Sequence, residues 1–161
     1  MLFIFDLDHT VIDSSHRQLT LADGSLDLNA WRENCTREKI FADRLLPLAN
    51  SMRRLISSNR HQVAICTARV LSKHDYDFLQ QRGLACEYIL SRSEGDNRRD
   101  ADLKYSKIWN LLVGLKIPRA RWQHAVTLVD DNTSVLDMAS NRLQINAVDA
   151  IKINQELRKN A

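Results

Sequence analysis

The sequence predicts an α/β fold in which a parallel sheet of about five strands is covered by helices on both faces. Short apolar runs that end in polar residues alternate along the chain with segments whose apolar residues recur at helical spacing. Buried parallel strands have this apolar pattern, and strands that alternate with helices form a sheet with helices on both sides. In such sheets ligands bind beyond the carboxyl ends of the strands. The expected strands are Leu2–Phe5, Val63–Cys66, Ala85–Leu90, Ala125–Val129 and Gln144–Val148.

Three helices are expected between these strands, because apolar residues recur there every three or four positions. They are marked by Leu48, Met52, Leu55 and Ile56, by Tyr105, Trp109 and Leu112, and by Val135, Ala139 and Leu143. The chain is expected to form one domain over residues 1–150. Within it, the irregular segment 13–41 is interpreted as a flap or small lid. The polar tail 151–161 is expected to fray, or to form no more than a short helix.

The composition is typical of a globular domain in the cytoplasm. Of the 161 residues, 44% are hydrophobic and 27% are charged, which is enough for one well-buried core. No apolar run approaches the roughly 18 residues of a membrane span, and Asp6 and Asp8 interrupt the apolar start, so neither a membrane segment nor a signal peptide is indicated. The three cysteines lack metal-site spacing and indicate reduced thiols. A net charge of +3 permits a polyanionic partner without establishing one.

The first strand ends at two aspartates, Asp6 and Asp8, which are separated by one residue. Because the chain turns where the strand ends, both carboxylates can converge on one substrate. One can attack a phosphorus atom while the other handles protons, as a phosphomonoesterase with a covalent aspartyl intermediate requires. Aspartates at this position also commonly cap or shape a turn. The following Thr10 and a second acidic pair favour the catalytic interpretation.

The second acidic pair, Asp130 and Asp131, follows the apolar run Val126–Val129. Two acidic clusters that face one crevice repel each other, and a divalent cation between them removes that cost. Oxygen ligands beside a phosphate favour Mg²⁺. In the alternative interpretation, Asp131 and Asn132 cap the next helix, and both interpretations can hold. The candidate Mg²⁺ ligands are Asp6, Asp8, Asp130 and Asp131, which would bind through carboxylates and one backbone carbonyl. The sequence does not decide whether Asp130 or Asp131 is the direct ligand.

Other polar residues near predicted strand and helix ends can bind a phosphoryl group. Thr67 ends the second strand, where its hydroxyl can donate a hydrogen bond to a phosphoryl oxygen. Arg69 can pair with a phosphate, although a single arginine is more often solvated. Lys104 and Lys107 lie in the first turns of the predicted helix over 103–112, where a lysine is slightly unfavourable. One of the two is expected to offset phosphoryl charge, and the residues alone do not choose between them.

The ordered set resembles the four motifs of the haloacid dehalogenase (HAD) superfamily of phosphohydrolases. Those motifs are D-x-D-x-T after a strand, a strand-end Thr or Ser, a Lys, and a strand-end acidic pair. Their counterparts here are Asp6, Asp8, Thr10, Thr67, Lys104, Asp130 and Asp131. The resemblance implies a HAD-like Rossmannoid three-layer sandwich with a small flap and no large cap domain. One departure is His9, which occupies the position of the usual glycine.

A closer resemblance is to the phosphatase domain of bacteriophage polynucleotide kinase/phosphatase and its stand-alone phage relatives. It rests on Thr67-Ala68-Arg69, on Arg17 nine residues after Asp8, and on residues 92–104. The last segment follows the pattern R-x-x-G-D-x-R-x-D-D-x-x-K, except that Ala101 replaces the second Asp of the pair. The resemblance implies that the motif lysine is Lys104 rather than Lys107. It also implies substrate-binding roles for Arg17, Arg69 and Asp100, with Asp100 orienting Lys104 or an arginine.

The residues predict a Mg²⁺-dependent phosphatase, and the resemblance implies that it removes 3′-phosphates from DNA or RNA ends, as in nucleic acid repair. Asp6 would be the nucleophile and Asp8 the acid and base. The sequence has no G-x-x-x-x-G-K-[ST] phosphate loop, so the resemblance implies no kinase activity. If the chain is phage-encoded, it would act in the host cytoplasm.

Three alternatives remain. The first is a nucleotidase that acts on free nucleoside monophosphates. The second is a signalling receiver domain, although receivers place the acidic pair early and the acceptor aspartate in mid-chain. The third is an inactive end-binding module, which the intact motifs disfavour.

Overall fold

The computed structural model describes residues 1–160 and contains a five-stranded parallel sheet. The strands lie in the order β5-β4-β1-β6-β7, so that β1 is central and pairs with β4 and β6. This arrangement confirms the predicted α/β fold with its parallel sheet. The sheet strands are β1 (Leu2–Phe5), β4 (Gln62–Cys66), β5 (Tyr88–Leu90), β6 (Val126–Asp130) and β7 (Asn146–Asp149), and a separate antiparallel pair is formed by β2 (Ile12–Asp13) and β3 (Arg44–Leu45).

Helices cover both faces of the sheet. They are α1 (Leu28–Glu33), α2 (Arg37–Phe41), α3 (Leu48–Ser58), α4 (Lys73–Gln81), α5 (Asp100–Gly114), α6 (Trp122–Ala125), α7 (Thr133–Met138) and α8 (Ala150–Lys159). Alternate side chains of β1 enter two different cores, as the pleat of a strand requires. Phe5 packs with α3 and α4 on one face, whereas Leu2 and Ile4 pack with α5 and α7 on the other.

The irregular segment 13–41 forms a small insertion after β1, and the paired strands β2 and β3 close its base. It contains the two short helices α1 and α2. Asp27 caps α1 by accepting hydrogen bonds from two backbone N–H groups, and Thr36 caps α2 in the same way with one. Ile40 in α2 is buried in the core, so the end of the segment is anchored to the body of the domain.

The C-terminal segment differs from the expected fraying tail, because it forms α8 and packs against α3. Asp149 caps this helix through its side chain. The buried Asn154 side chain accepts a hydrogen bond from the Leu48 backbone N–H and donates one to the Thr10 carbonyl, each at 2.9 Å. The polar composition of the tail was misleading, since this polar residue satisfies buried backbone groups.

Within residues 1–160, no helix is both long enough and apolar enough to cross a membrane.

Candidate active site

Four side chains that the sequence singled out meet at the carboxyl edge of the sheet. Asp6 follows β1, Asp130 ends β6 and Thr67 follows β4, while Lys104 reaches the edge from the second turn of α5. The Lys104 Nζ donates to Asp6 Oδ1 and to Asp130 Oδ2, at 2.7 Å in each case. All three charged side chains are buried, with exposed fractions of 3% for Lys104, 7% for Asp6 and 0% for Asp130. Neighbouring parallel strands thus place the two carboxylates on either side of one ammonium group.

Asp131 completes an acidic cluster beside Lys104. One carboxylate oxygen from each of Asp6, Asp130 and Asp131 lies within 4.8 Å of the others. Burial raises the pKa of Asp6 to about 7, and the charges of Asp130 and Asp8 add to this, while Lys104 opposes it. Burial also raises the pKa values of Asp130 and Asp131. Three carboxylates therefore face one ammonium group, and the cluster has an excess of negative charge.

The donor set of this cluster fits a hard divalent cation such as Mg²⁺. Three carboxylate oxygens converge from two neighbouring strand ends, and oxygen ligands are those that Mg²⁺ prefers. Within residues 1–160, Asp131 has no ion-pair partner and its carboxylate is free to bind such an ion. The Asp8 carboxylate lies outside this cluster, so its backbone carbonyl is the part of Asp8 that remains a candidate ligand.

The Asp8 carboxylate is held by two neighbouring residues. Arg69 donates from Nη2 to Oδ1 at 2.5 Å and from Nε to Oδ2 at 3.1 Å, and Ser14 donates its hydroxyl to Oδ1 at 2.5 Å. Burial acts to raise the pKa of Asp8, but the ion pair with Arg69 outweighs it and keeps the pKa below its ordinary value. Asp6 and Asp8 therefore lie in opposite environments, one beside other carboxylates and one beside a guanidinium.

Arg17, for which the resemblance implies a substrate-binding role, is a buried side chain in this structure. Its side chain is completely buried and donates from Nε and Nη2 to the two carboxylate oxygens of Asp43, each at 2.9 Å. The Trp31 ring covers it, with 4.3 Å between the ring centroid and the guanidinium carbon. Burial and the bidentate pair with Asp43 hold the Arg17 guanidinium away from solvent in this structure.

Arg69 is also buried, with only 3% of its side chain exposed. Besides Asp8, it contacts Asp75 at 2.6 Å and lies 3.8 Å from Asp43. Asp75 is fixed in turn by the capping box of α4, in which its side chain accepts hydrogen bonds from the Ser72 backbone and hydroxyl. Asp43 and Asp75 were not predicted from the sequence; the Ser72-x-x-Asp75 spacing is the one local signal that could have indicated either.

The remaining expected residues lie around this centre. The Thr67 hydroxyl accepts a hydrogen bond from the Arg69 backbone N–H at 3.1 Å and so shapes the turn after β4. Asp100 accepts from Arg92 at 2.8 Å and does not contact Lys104. His9, which replaces the usual glycine, adopts a left-handed backbone with φ of +58° and is exposed.

Comparison with known proteins places the chain in a family. The profile of a family described as "Bacteriophage T5 5'-deoxynucleotidase" matches residues 1–160. A curated relative, the 5′-deoxynucleotidase of Escherichia phage T5, is 43% identical over 86 residues, which are 52% of this chain and 35% of that protein. The chain therefore spans about a third of the length of the curated relative that it matches.

Solved structures with a similar fold include a HAD-superfamily hydrolase from Geobacter sulfurreducens and a chain of the Pnkp1/Rnl/Hen1 RNA repair complex. The first has a TM-score of 0.64 and 14% identity, covering 92% of this chain and 88% of that one. The second has a TM-score of 0.55 and 20% identity, covering 92% of this chain and 41% of that one. The chain therefore has the HAD fold and belongs to the bacteriophage T5 5′-deoxynucleotidase family.

Proposed function

We propose that this protein is a HAD-type phosphatase that releases phosphate from the 5′ position of deoxynucleoside monophosphates. The observation that carries the reaction class is the buried Asp6, held by Lys104 beside two further carboxylates at the end of the central strand. The family match over residues 1–160 supports the substrate, and it favours the nucleotidase alternative over the 3′-polynucleotide phosphatase that the sequence motifs first suggested. The family match does not favour the alternative of a signalling receiver domain.

Asp6 is the proposed nucleophile. One of its carboxylate oxygens attacks the phosphorus atom, the bond between phosphorus and the 5′ oxygen breaks, and the phosphoryl group is left on Asp6. A water molecule then attacks the same phosphorus atom, which releases inorganic phosphate and restores the carboxylate. The Lys104 Nζ, 2.7 Å from Asp6, is positioned to hold a phosphoryl oxygen during both displacements.

Asp8 is the proposed acid and base. It donates a proton to the departing 5′ oxygen in the first step and takes a proton from the attacking water in the second. In the free protein Arg69 keeps the pKa of Asp8 low, which favours the carboxylate. An incoming phosphate is negatively charged, so its binding raises the pKa of Asp8 and favours the protonated acid that the first step needs.

A divalent cation is the proposed cofactor. The carboxylates of Asp6, Asp130 and Asp131 and the backbone carbonyl of Asp8 would hold it. When bound, Mg²⁺ neutralises negative charge on the phosphoryl oxygens. Asp130 would also keep Lys104 in place, since both ends of that contact are buried.

The test is phosphate release from a panel of substrates by the wild type and by Asp6→Asn. The panel comprises 5′-deoxynucleoside monophosphates, 3′-deoxynucleoside monophosphates and 3′-phosphorylated DNA and RNA oligonucleotides, each with Mg²⁺ and with a chelator. We expect the 5′-monophosphates to give the highest kcat/KM, with no turnover in the chelator or in the variant. Faster hydrolysis of the 3′-phosphorylated oligonucleotides would replace this proposal with the polynucleotide 3′-phosphatase.

A further inference from the structure

We infer that Asp43 is a positioning residue for Asp8, acting through Arg69, and that it makes proton transfer to the leaving group depend on the 13–41 segment. This inference rests on the proposed phosphatase function and deepens it. Asp43 lies directly after that segment, between α2 and β3, and its side chain is completely buried. It does not contact Asp6, Lys104 or the acidic cluster, so it has no place in the nucleophilic half of the site.

Asp43 is the centre of a buried group of charges. It accepts hydrogen bonds from Arg17 at 2.9 Å and from His16 at 2.8 Å, and it lies 3.8 Å from Arg69. Arg69 in turn binds Asp8 and Asp75. Two guanidinium groups are thus shared among three carboxylates, and the arrangement of each charge depends on the others.

Trp31 ties the same group to the middle of the 13–41 segment. Its ring lies over both guanidinium groups, with centroid distances of 4.3 Å to Arg17 and 5.3 Å to Arg69. The ring is half-buried and faces the two arginines that Asp43 holds in place. Contacts between an aromatic face and a partly desolvated guanidinium are favourable, so Trp31 and Asp43 hold the two arginines from two sides.

Loss of the Asp43 charge would redistribute these contacts. Arg17 would lose its bidentate partner, while Arg69 would still contact Asp8 and Asp75. With one carboxylate fewer, two guanidinium groups would compete for Asp8 and Asp75. Tighter contact with these guanidinium groups moves the Asp8 carboxylate away from the leaving oxygen, which weakens its action as an acid.

The leaving group distinguishes this role from a general structural role. A nucleoside leaves as an alkoxide and needs a proton, whereas 4-nitrophenolate is stable as an anion and leaves without one. The value of kcat/KM reports steps up to the departure of the leaving group. Moreover, the ratio of kcat/KM for two substrates does not depend on how much of a variant is folded, so it remains informative if Asp43→Asn is destabilised.

The experiment measures kcat/KM for a 5′-deoxynucleoside monophosphate and for 4-nitrophenyl phosphate in wild type, Asp43→Asn and the double variant Arg17→Gln with Asp43→Asn. The double variant removes both partners of the buried pair and protects the fold. The control is Asp77→Asn, which removes an exposed ion pair with Lys73 on α4. Its two kcat/KM values should equal those of the wild type.

We expect Asp43→Asn to lower kcat/KM for the nucleotide by about 10-fold or more, within the range lost when an acid catalyst is impaired, and to change the aryl ester by less than about 3-fold. The double variant should lose less on the nucleotide, because Arg17 can no longer compete for Asp8. An equal loss on both substrates, or no loss on either, would overturn the inference while leaving the proposed function intact. If the wild type hydrolyses neither substrate, the proposed function itself fails, and the inference with it.

Discussion

Replacing Lys104 with Met tests the electrostatics of the candidate active site. In the wild type, the ammonium group is shared by Asp6 and Asp130, and all three are buried. Removing one partner of a buried ion pair costs roughly 3–5 kcal/mol. The substitution breaks two contacts, but Asp6, whose pKa is already about 7, can take up a proton and so avoid being buried as an unpaired charge. The lost stability therefore stays within the range for one buried ion pair. For a protein of this size, the loss corresponds to a fall in Tm of roughly 6–20 °C.

The same variant should show a defined pH dependence. A carboxyl group whose pKa is higher in the folded than in the unfolded state destabilises the fold as it ionises, so stability falls as pH rises from the unfolded to the folded pKa. For Asp6 this interval ends at about 7. At pH 5 Asp6 is protonated in both proteins and the ammonium group matters less. The difference in Tm between wild type and Lys104→Met should therefore be larger at pH 8 than at pH 5.

The assay is thermal unfolding followed by circular dichroism at both pH values, in a chelator. Lys107→Met is the matched control, because Lys107 lies one turn further along α5 and contacts none of the three carboxylates. It should shift stability by no more than about 0.5 kcal/mol. If Lys104→Met melts as the control does, or if its deficit grows on acidification, the account of the cluster is wrong. Activity on nucleotides should also fall by about 100-fold or more in Lys104→Met and not in the control.

Three further predictions concern single residues. Asp8→Asn should lower kcat/KM for a 5′-deoxynucleoside monophosphate by about 100-fold or more, because the leaving oxygen loses its acid, and near-normal steady-state rates would exclude that role. Burial and the charge of Asp6 raise the pKa of Asp131, which means that its ionised carboxylate destabilises the fold, so Asp131→Asn should raise Tm in a chelator. The same variant should reduce the rise in Tm that Mg²⁺ causes in the wild type, and an unchanged Mg²⁺ effect would remove Asp131 from the cation site. His9→Gly should stabilise the protein by about 1 kcal/mol, because glycine adopts φ of +58° without strain, and a lower Tm would indicate that the imidazole has stabilising contacts.

The sheet and the acidic cluster could be predicted because their signals are local. Each strand that carries a site residue is a short apolar run that ends in a polar residue, and parallel strands bring such ends to one edge. Asp6, Thr67 and Asp130 are therefore found together from sequence patterns alone. The choice of Lys104 over Lys107 needed the motif resemblance, and the structure places the Lys104 Nζ between the carboxylates.

The network around Asp8 could not be predicted, because its partners are distant in sequence. Arg17 and Asp43 are 26 residues apart, and the path of the 13–41 segment alone decides that they meet. An isolated arginine next to a polar segment has the sequence pattern of a surface residue. The packing of α8 was not predicted for a related reason, since the partners of Asn154 are backbone groups of Leu48 and Thr10 far along the chain.

The most direct test of the central claim is covalent trapping of the phosphoryl group during turnover. A 5′-deoxynucleoside monophosphate with a radiolabelled phosphate is mixed with the protein and Mg²⁺, the reaction is quenched with acid, and the labelled peptide is identified. We expect label on Asp6 in the wild type and no labelled protein in Asp6→Asn. Label on another residue, or turnover of the nucleotide by Asp6→Asn, would contradict it.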